Sequence, residues 1–220
     1  LEVEYNKRLT ELELRAIRAQ INPHFIFNCL NSIQLFIMQE DYNSAQKYLS
    51  DFSLLIRKTL EMSKLNFVSL NDEVSYLTTY LTLEKMRFDD KMDYEIFIDP
   101  KLTLNKAEVP SMLLQPYVEN AVKHGINNQD NKGKLKVLFE EIREDLICTI
   151  EDNGIGIRRT RELGMDSFRK HLSAGMELSR NRAELMNKMF NTDIHIEILD
   201  KEESHLGESG TIVKITIPQF

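Results

Sequence analysis

Apolar positions in the first 40 residues alternate spacings of four and three: Tyr5, Leu9, Leu12, Ala16, Ala19, Pro23, Ile26, Leu30, Ile33 and Ile37. That repeat predicts a helix with a heptad seam. Leu14, Ile17 and Ile21 widen the stripe, so a second helix is expected to pack beside it. From Tyr42 to Met62 the same spacing returns at Ala45, Tyr48, Phe52, Leu55, Thr59 and Met62, with Asp41 or Asn43 placed to cap the start. Two helices on a short connection make an antiparallel hairpin. Alone it exposes too much apolar surface, and dimerisation into a four-helix bundle would bury it.

The helical pattern stops between Leu65 and Leu70, and Asn71-Asp72-Glu73 predicts a capped restart running through Val74, Leu77, Leu81 and Phe88. The domain boundary falls there. Tyr94 to Ile98 alternates as a strand, and Pro110-Ser111 predicts the opening of a helix from Met112 to about His124. Leu135, Val137 and Phe139 alternate, a charged turn follows at Glu140 to Asp145, and Leu146, Cys148 and Ile150 alternate again, which predicts a hairpin. Its second strand delivers Asp152 to the end of the sheet. After an arginine-rich stretch read as a loop from Arg158 to Ala174, a helix is expected from Gly175 to about Phe190. Strands near 193–199 and 211–217 then close the chain. The fold class is α+β: a helical hairpin followed by helices stacked on one mixed sheet.

Composition narrows the function classes. A hydrophobic share of 42% over 220 residues fills genuine cores. No apolar run approaches the roughly 20 residues of a membrane-spanning helix, and the chain opens inside a charged amphipathic segment, which gives the expectation of a cytoplasmic portion of a longer protein. Cys29 and Cys148 lack disulfide or zinc spacing and read as reduced core residues. A net charge of -7 disfavours a nucleic-acid partner. The local basic run Arg158, Arg159 and Arg161 is better used elsewhere.

Two short stretches carry candidate chemistry. In Gln20-Ile21-Asn22-Pro23-His24-Phe25-Ile26-Phe27-Asn28-Cys29 a histidine sits beside a proline on the flank of the helical stripe. A neutral imidazole is nucleophilic near pH 7, and Pro23, without an amide proton, loosens the helix around it. The plain alternative is a surface histidine beside a proline that only bends the bundle. In Glu151-Asp152-Asn153-Gly154-Ile155-Gly156 a strand ends in an acid and two glycines. Asp152 can accept from an exocyclic amine while Gly154 and Gly156 admit a flat base such as adenine. Such a pattern is also often a simple turn. On the preceding helix Asn120 and Lys123, at i and i+3, share a face where an amide oxygen and an ammonium would hold Mg²⁺ and phosphates. The arginine-rich loop would cover the nucleotide, and the helix N-terminus after Gly175 would face the anion. His124 either joins this site or caps its helix. His171, His195 and His205 have no ligand-like spacing.

These residues identify a resemblance. The chain resembles, over nearly its whole length, the cytoplasmic part of LytS/YehU-type sensor histidine kinases: Gln20 to Asn28 looks like the phosphoacceptor motif, Leu113 to Gly125 like the N box, and Glu151 to Ile157 like the first glycine box. The resemblance implies a Bergerat (GHKL) ATP-binding fold in residues 69–220, with residues 1–68 as the dimerisation and phosphoacceptor domain. It implies that His24 is phosphorylated from ATP with Mg²⁺ and passes the group to an aspartate of a response regulator. Thr211, after Gly210, would support the adenine-binding Asp152. The implied setting is a homodimer, cytoplasmic, in an inner-membrane sensor whose membrane segment lies outside this chain.

Three positions depart from the family pattern. Gly175-Met176-Glu177-Leu178 carries a carboxylate in place of the second glycine of Gly-x-Gly-Leu, and like charge near phosphate weakens binding unless Glu177 turns outward. Phe25 follows His24 where many kinases keep an acid as general base, so another group or solvent takes the proton. Asn28, one helical turn on, can orient the imidazole or a water. Pro116 stands where gyrase-like ATPases keep their catalytic glutamate, which disfavours a clamp ATPase. A degenerate kinase acting as a dimeric scaffold is the other reading.

Overall fold

The computed structural model describes residues 23–126, 132–162, 166–202 and 208–219. The chain parts into two compact units between Asn66 and Phe67.

In the first unit α1 (Pro23–Met38) and α2 (Tyr42–Met62) form the hairpin. Asp41 is the cap of α2: its Oδ1 accepts from the Ser44 amide at 3.1 Å, satisfying a first-turn donor with no partner inside the helix. The α2 face packed inside the hairpin is the expected one, with Ala45, Tyr48, Leu55, Thr59 and Met62 buried. On α1 it is not. Phe25, Cys29 and Ser32 are the buried residues, and Phe25 and Phe36 meet Phe52 and Tyr48 across the hairpin. Of the heptad seam, Ile26 and Ile33 are half-buried while Leu30 and Ile37 are exposed. The seam therefore faces outward. Its part before Pro23 lies outside the described residues.

The second unit opens with β1 (Phe67–Ser69) and α3 (Leu70–Phe88). The cap of α3 is Ser69, whose Oγ accepts from the Asp72 amide at 3.1 Å, so the helix starts just before the expected Asn71. After a short 3-10 turn come β2 (Met92–Ile98) and β3 (Glu108–Pro110). Pro110 ends β3 opposite Phe67 of β1 rather than opening a helix. The helix proline is Pro116, in the first turn of α4 (Gln115–Asn120), where its missing N–H has no partner to lose. The next six residues, Ala121–Ile126, continue as a π-helix.

β4 (Gly133–Ile142) and β5 (Asp145–Asp152) form the hairpin. Arg143 and Glu144 turn it with φ of 53° and 72°, both left-handed, as a two-residue hairpin turn requires. α5 (Gly156–Glu162) and α6 (Asp166–Phe190) follow, then β6 (His195–Asp200) and β7 (Thr211–Pro218). Residues expected as a loop before Gly175 are thus helical. The stretch from Ser167 to Ala174 holds Arg, Lys, Leu and Ala, all good helix formers, and one interior glycine costs only about 1 kcal/mol. The sheet order is β2-β4-β5-β7-β6. Only β2 runs parallel to its neighbour β4. Along β4 every second residue from Gly133 to Phe139 is buried, so one sheet face is covered, and its core includes Leu135, Val137, Phe139, Cys148, Ile150, Val213 and Ile215.

Candidate functional site

Asp152 is the last residue of β5, and it is 7% exposed. Its Oδ1 accepts from the backbone N–H of Gly154 at 2.8 Å and of Thr211 at 3.3 Å. Burial raises its carboxyl from 3.8 to about 6, against the two amide donors and Lys201, which pull it down. Asn153 fixes the strand end beside it: its Oδ1 accepts from the Lys134 amide at 2.6 Å and its Nδ2 donates to the Lys132 carbonyl at 3.1 Å. The acid is held rigidly by backbone.

Two glycines make this corner possible. Gly210 has φ of 131°, and a Cβ there would stand 2.1 Å from the Asp152 carbonyl oxygen. Only glycine fits. Gly156 has φ of 78°, and a Cβ would come 3.0 Å from Asp200 Oδ2. Asp200 sits at the end of β6 opposite Thr211 and accepts from the Arg158 amide at 2.8 Å and the Glu202 amide at 3.0 Å. It therefore caps α5 from another strand. Lys201 beside it is buried and pairs with Glu151 at 2.6 Å. Neither Asp200 nor Lys201 carries a signal of its own in the sequence, because only the β6–β7 register brings Asp200 to the glycine box.

The π-helical turn Ala121–Ile126 packs against β4 and β5, which sets the N-box segment beside the strand that ends in Asp152. Asn120, at the end of α4, has a buried Nδ2 with no hydrogen-bond partner among the described residues. Lys123 lies three residues on, and its ammonium donates to Glu119 Oε2 at 3.1 Å. The other Glu119 oxygen accepts from Gln115 Nε2 at 2.6 Å.

The structure thus gathers Asp152, Gly154, Gly156 and Thr211 at one sheet end. Lys123 lies on the π-helical turn that packs against β4 and β5, and Asn120 directly precedes that turn. Gly175 lies within α6 rather than before its first turn, so the helix N-terminus expected after it does not form there. His24 and Asn28 belong to α1 in the other unit. Asn28 is half-buried, and its carbonyl accepts from Ser32 Oγ at 3.0 Å. The side chains of His24, His124 and Glu177 lie outside the described residues.

A sheet ending in a buried acid with glycines on both sides is a corner that can admit a flat base. Residues 107–220 match the family described as histidine kinase-, DNA gyrase B-, and HSP90-like ATPase, and residues 12–92 match the histidine kinase family. The chain belongs to these ATPases. Among similar proteins, the sensor protein LytS of Staphylococcus saprophyticus is 30% identical over 96% of this chain and 34% of its own length. The sensor histidine kinase BtsS of Escherichia coli is 37% identical over 66% of this chain and 25% of its own length. The chain thus spans about a third or less of these relatives. The histidine kinase domain of a blue-light activated histidine kinase from Erythrobacter litoralis shares the fold, with a TM-score of 0.50, 15% identity and 96% of each chain covered. Among the described residues no helix is long and apolar enough to cross a membrane.

Proposed function

We propose that this chain is the catalytic core of a two-component sensor histidine kinase, which phosphorylates His24 from ATP and passes the phosphoryl group to an aspartate of a response regulator. Residues 1–68 would carry the phosphoacceptor and dimer contacts, and residues 69–220 the nucleotide. The observation that carries the reading is the Asp152 carboxylate: Oδ1 is taken by the Gly154 and Thr211 amides, so Oδ2 is left for the exocyclic amine of adenine. Gly154 and Gly156 line the same turn.

Asn120 fits a site for Mg²⁺ and polyphosphate. Its amide nitrogen is buried without a partner among the described residues, which costs free energy until a phosphate or water oxygen accepts from it. The oxygen of the same amide is a hard ligand of the kind Mg²⁺ takes, alongside waters and phosphates. The ion would supply charge neutralisation to the polyphosphate. Lys123 adds a cation at the same edge, while Gly175 and His124 would line the nucleotide from α6 and the π-helical turn. Phosphoryl transfer is mostly positioning and charge stabilisation: the His24 ring nitrogen would attack the terminal phosphorus in line, the bond from that phosphorus to the bridging oxygen would break, and ADP would leave. The proton cannot go to the next side chain, because Phe25 is a hydrocarbon ring without a basic atom, buried near the Phe52 ring. Asn28, one turn along, is placed to orient the ring.

The test is incubation of the pure chain with γ-labelled ATP and Mg²⁺. Acid-labile label on the protein is expected, and none on a His24→Gln variant that still binds ATP. Label in free phosphate would instead indicate a clamp ATPase, and label nowhere a scaffold.

A further inference from the structure

Lys123 does not stand alone. Two ion pairs lie near one another, Glu84 with Arg87 on α3 and Glu119 with Lys123 on α4 and its π-helical continuation. The four charges are mutually close: the Glu84 carboxyl is raised by burial, lowered by Arg87, raised by Glu119 and lowered by Lys123. Two anions and two cations balance. Side-chain exposure grades across the group, from 4% at Glu84 and 14% at Glu119 to 29% at Lys123, so the lysine head is the more open end of its pair. Glu119 is held at both oxygens, by Gln115 from the turn before and Lys123 from the turn after.

We propose that Glu119 is a positioning residue, which holds the Lys123 ammonium at the nucleotide's polyphosphate with Glu84–Arg87 as a neutral pair behind it. The inference rests on the nucleotide reading of Lys123 above. An ammonium has three N–H donors. One lies on Glu119 Oε2, and the others remain to meet phosphate oxygens, so the pair is compatible with bound nucleotide rather than in competition with it. A free lysine side chain would lose rotamer entropy on binding phosphate. With Glu119 in place, part of that ordering precedes the ligand. The Glu119 charge does not repel the phosphates unopposed, because Lys123 accompanies it.

The experiment measures ATP and adenosine affinity of the full chain with Mg²⁺ by calorimetry, for the parent, Lys123→Ala, Glu119→Gln, and both together. Adenosine lacks phosphates and reports whether the base pocket is intact. Expected is about a tenfold loss of ATP affinity in Glu119→Gln, unchanged adenosine affinity, and a double variant no weaker than Lys123→Ala alone, the non-additivity of two residues acting as one. Glu119→Asp, which keeps the charge, should recover part of the loss. If Lys123→Ala leaves ATP affinity unchanged, the nucleotide reading of Lys123 fails. If Lys123→Ala weakens ATP but Glu119→Gln does not, strengthens it, adds independently, or lowers adenosine affinity equally, the positioning role is overturned. Should Glu119→Gln not fold, Gln115→Ala, which frees only the far oxygen, is expected to give a smaller loss of ATP affinity with adenosine intact, and no loss there would overturn the inference.

Discussion

A carboxyl that titrates near 6 makes Asp152 a pH gate on its own ligand. The adenine amine needs an ionised acceptor, and burial keeps the proton on Asp152 up to about 6. Nucleotide binding then selects the deprotonated form and releases a proton below that pH. Calorimetry from pH 5 to 8 should show ATP affinity level above about 7 and falling toward about tenfold per unit below 6, with proton release seen as a buffer-dependent enthalpy. A flat profile would remove Asp152 from the base contact. Asp152→Asn should abolish binding with little loss of fold, since the neutral amide can still accept from Gly154 and Thr211. The acid was legible in the sequence because a strand ended on it before two glycines. Its partners were legible unequally: Thr211 came from the resemblance, whereas Asp200 shows no pattern of its own, being one of 35 acidic residues until the β6–β7 register places it under Gly156.

At the scale of elements, α3 carries an unusual cost in its first turn. Glu73 is fully buried, neither oxygen has a hydrogen-bond partner among the described residues, and burial lifts its carboxyl from 4.5 to about 8 against the pull of Arg182 on α6. The folded state therefore keeps a proton that the unfolded chain has already lost. Stability from this group is full below 4.5, drains at about 1.4 kcal/mol per pH unit, and is gone above about 8. Glu73→Gln, neutral throughout, should match the parent near pH 4.5 and exceed it by roughly 5 kcal/mol near pH 8.5 in urea denaturation. Parallel stability curves would show that Glu73 is ionised and satisfied in the folded protein. An element with strict alternation, such as β4, is readable because one of its faces is buried and the other is not. The α4 start was misplaced because Pro110 and Pro116 give the same local signal, and only the pairing of β3 with β1 separates them. The helix through Gly175 is hidden for a similar reason: a glycine inside a run of helix formers reads as a boundary until tertiary packing outweighs its small cost.

For the whole molecule the open question is what covers the first unit. The heptad seam that dominates the opening sequence is not the α1 face used inside the hairpin; Phe25, Cys29 and Ser32 take that place, and Leu30 and Ile37 stay half exposed to water together with Phe27. On α2, Tyr42 and Leu49, seven residues apart, are exposed in the same way, as is Leu60. Two apolar faces per hairpin, one inward and one outward, are what a four-helix bundle of two copies requires. Such a patch on a chain of net charge -7 would otherwise invite nonspecific association. We therefore expect a dimer in sedimentation equilibrium at micromolar concentration, and a monomer after Leu30→Glu with Leu49→Glu. Because those residues lie in the first unit, ATP affinity in the second should persist in the double variant, while labelling of His24 falls if the phosphoryl group crosses between subunits and survives if it does not. A parent chain that stays monomeric at tens of micromolar would mean that the outward seam serves some other helix.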